Sequence, residues 1–174
     1  MEQILFGAPV AEQLDEISKS VFQEHIKDNN KPHLTAITVG DNPASLLYVS
    51  RKQEKALDLG VEFNWLKLDT NTSQEILEEV ISRESKVTDG LIIQLPLPNH
   101  LNPEEAINCI PYEVDVDGLT SNNLGGLFSD SYKLIPATSL AVLELLNFYN
   151  IKTEDKNIVI AGRSRLVSAP LAKI

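Results

Sequence analysis

The run Gly90-Leu91-Ile92-Ile93, set between Asp89 and Gln94, has no polar residue in alternation. A strand with one wet face alternates apolar and polar side chains. A strand without that alternation has both faces covered, the condition of a parallel sheet clothed by helices. The rest of the chain supplies what such a sheet needs. "HLTAITVG" (33–40) and "VEFNWLKL" (61–68) are rich in β-branched and aromatic residues and read as strands. Helical patterns lie between them. Val10, Leu14, Ile17, Val21 and Phe22 recur at helical spacing over 10–27. In 41–60, Asn42 suits the cap, Pro43 the first helical position and Gly60 the stop. Thr72 and Glu75 have capping-box spacing at the head of a further helix. A proline-rich turn leads to a short helix around 104–110, and a long polar loop fills 111–136. "SLAVLELLNFYN" (139–150) is a strongly apolar helix and "KNIVIAG" (156–162) a last strand. The alternation predicts an α/β fold: a three-layer domain with a parallel sheet, with a fresh strand–turn–helix unit opening after a domain change near 145–156.

Bulk properties narrow the function. A net charge of −10 argues against nucleic acid or an anionic membrane as the main partner. No apolar run approaches the length of a membrane span, and the N-terminus lacks the basic and apolar regions of a secretion signal. With Cys109 the one cysteine, no internal disulfide can form, and the expected compartment is the cytoplasm.

Four segments carry candidate chemistry. Ser45, Tyr48, Lys52 and Lys55 fall at steps of three, four and three, so they share one helix face. Arg51 and Lys55 place two further cations beside Lys52, the setting in which a lysine gives up its proton most readily. A solvated face with a tyrosine lying over it would show the same spacing. Short-chain dehydrogenases also carry a Tyr-xxx-Lys pair, but their glycine-rich loop precedes it, and here the order is reversed. Gln94 follows the apolar strand at its carboxyl end, where open α/β sheets place their ligand crevice. An amide in that position needs a partner, which backbone or a ligand can supply. "EVDVDGL" (113–119) starts like a calcium loop, but position twelve is Leu124 instead of Glu, so no metal site is expected. An aspartate there can instead hold two N–H groups of a ligand, or form an acidic turn. In "AGRSRLVSAP" (161–170), Gly162, Arg163 and Ser164 suit an anion at a strand–turn–helix junction, although a full G-x-G-x-x-G is missing.

In order and spacing, "VGDNPASLLYVSRK", "DGLIIQLPLP", "DVDGLTSNNLG" and "IAGRSRLVSAP" resemble the successive signatures of the bifunctional methylenetetrahydrofolate dehydrogenase/methenyltetrahydrofolate cyclohydrolase (FolD) family. The resemblance covers the whole chain. It implies a folate-binding catalytic domain over 1–150 and the incomplete beginning of an NAD(P)-binding, Rossmann-like domain over 151–174. It implies that Lys52 is the catalytic lysine, that Gln94 bonds it and that Tyr48 stacks along the folate, with Ser45 nearby. Asp117 then grips the pterin edge, and Gly162, Arg163 and Ser164 form the cofactor phosphate turn. The implied reactions are NADP-dependent oxidation of 5,10-methylenetetrahydrofolate and hydrolysis of the product to 10-formyltetrahydrofolate, with NAD the alternative cofactor and no metal. Partners implied are tetrahydrofolate derivatives and, in the family, a second copy in a homodimer; the short chain itself is expected to be monomeric or poorly soluble.

The sequence departs from the family pattern at Ala137, Ser139, Ala141 and Ser168, all near the cofactor, and at Val114. Those departures keep a second reading open: a truncated, degenerate folate-binding or interaction module without dehydrogenase activity.

Overall fold

The computed structural model describes residues 3–28 and 30–174. The chain divides into two compact units, one formed by Lys19–Val116 and the other by Met1–Ser18 with Asp117–Ile174. Helix α1 (Ala8–Lys27) runs from the second into the first.

In the first unit, β1 (His33–Val39), β2 (Glu62–Leu68) and β3 (Gly90–Ile93) form a parallel sheet in the order β2-β1-β3. The apolar run that implied cover on both faces is β3, and all four of its residues are buried. Its outer edge is extended by a single bridge to Asp115, with Leu91 N–H donating to the Val114 carbonyl at 2.8 Å. Alternation along the strands sorts the two faces. Ile37, Val39, Leu91 and Ile93 point toward α3 (Gln74–Glu84) and α4 (Pro103–Asn108), where Leu77, Val80, Ile81 and Ala106 close the main core. Ala36 and Ile92 point the other way and meet Val49 of α2 (Pro43–Asp58), with Leu34, Phe63 and Trp65 around them. Helix, sheet and helix give the three expected layers.

Helix α2 is capped as anticipated: Asn42 Oδ1 accepts from Ser45 N–H at 3.0 Å and Pro43 occupies the first turn. The cap of α3 lies one residue later than the Thr72 spacing suggested. Ser73 Oγ accepts from Ile76 N–H, while the Thr72 carbonyl is engaged by His100 Nε2 at 2.9 Å.

The second unit holds α5 (Ser121–Phe128), α6 (Ala137–Phe148) and α7 (Ser168–Lys173). Helix α5 lies inside the stretch expected to be loop. Thr120 starts it, its hydroxyl accepting from Asn123 N–H at 3.3 Å. The run 156–162 carries no strand pairing, and Val159 is 91 % exposed. A parallel strand exists only against a neighbour, and no described residue supplies one here.

Candidate active site

The site is built where β3 ends. Gln94 N–H donates to the Ile37 carbonyl at 2.9 Å, which keeps the residue in register with the sheet as the strand stops. The chain then turns through a cis peptide between Leu95 and Pro96. Gln94 Nε2 donates to the Leu95 carbonyl at 2.8 Å. A carbonyl oxygen can only accept, so this contact fixes which end of the amide is nitrogen. The other end, Oε1, is buried without a hydrogen-bond partner. Leaving a buried acceptor unmet costs about 1–3 kcal/mol, so the position calls for a donor.

The same Leu95 carbonyl receives a second, longer bond of 3.4 Å from Ser45 Oγ. Ser45 is buried in the first turn of α2, so the helix and the strand end share one backbone acceptor. Below Ser45 on the same helix face come Tyr48 and Lys52, as the spacing required. They line a groove of about 670 Å³ with Arg51, Lys55, Ala56 and Leu59. Sheet residues Leu34, Gly90 and Ile92 form its floor, so the thinner side of the sheet is apolar within and cationic along the α2 rim. Tyr48 is 63 % exposed, a ring presented to solvent and available for stacking. Lys52 is half-buried.

Asp117 opens the other unit and is half-buried. The backbone turn that follows it is set by Gly118, which is buried with φ +68°, and a Cβ there would come within 3.1–3.2 Å of the Ile135 and Pro136 backbone. Both the left-handed backbone and the close approach demand glycine. Gly162, Arg163 and Ser164 lie together and exposed before α7. Among the described residues no cluster of three metal-ligating side chains occurs, and no helix is long and apolar enough to cross a membrane.

Sequence reasoning missed the Leu95 carbonyl. The only trace of it was the Leu-Pro-Leu-Pro turn, whose stiffness was legible although its acceptor was not.

Residues 5–117 match the family model described as tetrahydrofolate dehydrogenase/cyclohydrolase, catalytic domain. The chain belongs to this family. The matched span contains Ser45, Tyr48, Lys52, Gln94 and Asp117. Among relatives of the tetrahydrofolate dehydrogenase/cyclohydrolase family, the bifunctional protein FolD of Listeria innocua is 33 % identical over 176 residues, covering 100 % of this chain and 62 % of that protein. The mitochondrial bifunctional methylenetetrahydrofolate dehydrogenase/cyclohydrolase of Gallus gallus is 34 % identical, covering 98 % of this chain and 52 % of its own length. The bifunctional enzyme FolD from Campylobacter jejuni superposes with a TM-score of 0.95 at 32 % identity, over 98 % of this chain and 62 % of that one. The Trypanosoma brucei methylenetetrahydrofolate dehydrogenase-cyclohydrolase, solved with NADP cofactor and inhibitor, gives 0.91 at 28 % identity, over 99 % and 61 %. The chain thus spans about three fifths of the length of the bacterial relatives it matches.

Proposed function

We propose that this chain carries the folate-handling side of a methylenetetrahydrofolate dehydrogenase/methenyltetrahydrofolate cyclohydrolase. Residues 1–150 act as its catalytic domain and 151–174 begin its NAD(P)-binding domain. The observation that carries the reading is the orphaned, buried Oε1 of Gln94 at the sheet end, on a turn shared with the helix that bears Ser45, Tyr48 and Lys52. An acceptor held ready for a donor suits a lysine amine whose lone pair must be directed at water. When that amine is unprotonated, it takes the proton of a water attacking the methenyl carbon. The exposed ring of Tyr48 offers a stacking surface for the flat folate, and the Asp117 carboxylate an acceptor pair for the N–H groups of the pterin edge.

The cofactor turn is tested by its donor set. The backbone amides of Gly162–Ser164, the exposed Arg163 guanidinium and the Ser164 hydroxyl are chemically suited to an anionic phosphate. NADP, when bound, accepts hydride from 5,10-methylenetetrahydrofolate. The chain's own contribution to that step is to hold the folate still and keep its reactive carbon oriented. A cytoplasmic setting and a homodimer belong to the same reading, as they do to the family resemblance.

Lys52→Met tests it. Cyclohydrolase activity should fall by a factor on the order of a hundred or more, the scale of a lost general base, with tetrahydrofolate binding retained. A variant as active as the parent would refute the assignment. An inactive parent that still binds tetrahydrofolate would leave the degenerate folate-binding module as the answer.

A further inference from the structure

Ser168 opens α7, and its side chain lies against Gly162. A Cβ built on Gly162 would run into Ser168 Oγ and lie 3.5 Å from Ser168 Cβ. The bare side of the glycine is therefore filled by a neighbour from the same chain. In a glycine turn that binds phosphate, that bare side is what lets the backbone approach the phosphate closely, with no side chain between them. Acceptors of the turn are bonded within it, and the donors of Gly162, Arg163 and Ser164 stay available to a phosphate. Ser164 Oγ accepts from Leu166 N–H at 3.1 Å, and the Ser164 carbonyl accepts from Ala169 N–H at 3.0 Å. From the other side Ser139, fully buried in the first turn of α6, donates to the Val167 carbonyl at 3.1 Å. That bond fixes the backbone of the residue directly before Ser168, and with it the place from which the Ser168 side chain starts.

We infer that Ser168 weakens cofactor binding: it narrows the 162–168 turn, so the chain holds a dinucleotide phosphate more weakly than it would with glycine there. The inference rests on reading this turn as the cofactor turn, and it concerns affinity alone. Two of the positions where the sequence departs from the family, Ser139 and Ser168, thereby act together on one short turn.

Calorimetric titration of NADP⁺ into the 174-residue chain and into Ser168→Gly tests it, with tetrahydrofolate titrated into both. Ser168→Gly should bind NADP⁺ about tenfold tighter, the scale on which one misplaced group counts in a binding site, with tetrahydrofolate affinity unchanged. Equal NADP⁺ affinity in the two proteins, undetectable binding in both included, overturns the inference. If Ser168→Gly does not fold, Ser168→Ala, which removes only the Oγ, carries the same expectation. A second measurement bears on the contact itself. Gly162→Ala should lower the thermal midpoint in the parent and lower it much less in the Ser168→Gly background; equal losses in both overturn the inference. Failure of tetrahydrofolate to bind while the NADP⁺ difference appears would count against the folate reading and leave the role of Ser168 standing.

Discussion

Gln94 owes its value to having only half of its amide satisfied. The Leu95 carbonyl takes the nitrogen end, and the oxygen end stays buried and open to a donor. Such a group is expensive in a fold with no use for it, which is why it weighs more than the exposed cations nearby. Cys109 is a contrasting case. It is the one thiol in the chain, it lies at the surface, and its pKa is raised by burial and by the carboxylates of Glu78 and Glu105. The folded protein therefore holds this proton more tightly than the unfolded chain does. Stability linked to it is full below the ordinary thiol range and is lost as pH rises above that range. Alkylation by iodoacetamide should be slow at neutral pH and accelerate only at pH values beyond those of a free cysteine. A reaction rate at neutral pH equal to that of a free thiol peptide would contradict this.

Elements were legible where their signals are local. The Asn42-Pro43 start of α2 and the unalternating run of β3 each follow from a few adjacent residues. Helix α5 was not legible, because Gly125 and Gly126 dilute its pattern and Thr120 announces it only through a bond to Asn123. The Thr72 spacing misplaced one cap because Ser73, the next residue, carries the same capping hydroxyl and takes the position. "KNIVIAG" has the composition of a strand and no ladder, since pairing belongs to two segments and composition to one. In the site, the helix face of Ser45, Tyr48 and Lys52 could be read from spacing, whereas its link to Gln94 runs through a backbone oxygen that no side-chain pattern encodes. At this scale Gly118 is the sharpest test. Gly118→Ala combines a left-handed φ with contacts of 3.1–3.2 Å to backbone. Neither can relax by a rotamer change, so the loss should exceed about 1 kcal/mol, read as a lower urea midpoint. An unchanged midpoint would mean that the Asp117 turn is not held as described.

Across the molecule, cover is uneven. One face of the sheet meets a core of eleven buried residues, while the α2 face has three and a groove of about 670 Å³. An open apolar groove is a place where an apolar molecule, or a second chain, can bind. The native protein should therefore brighten anilinonaphthalene sulfonate without denaturant, and light scattering should show concentration-dependent mass. A dye-silent protein of constant mass would mean that the groove is closed in solution. The unpaired run at 156–162 has a different consequence. Proteases bind substrates as extended backbone, and loose segments are where cleavage begins. Ile158 and Val159 lie in such a segment, beyond Lys52, Gln94 and Asp117. A cut there would leave Lys52, Gln94 and Asp117 on one piece and Gly162, Arg163 and Ser164 on the other.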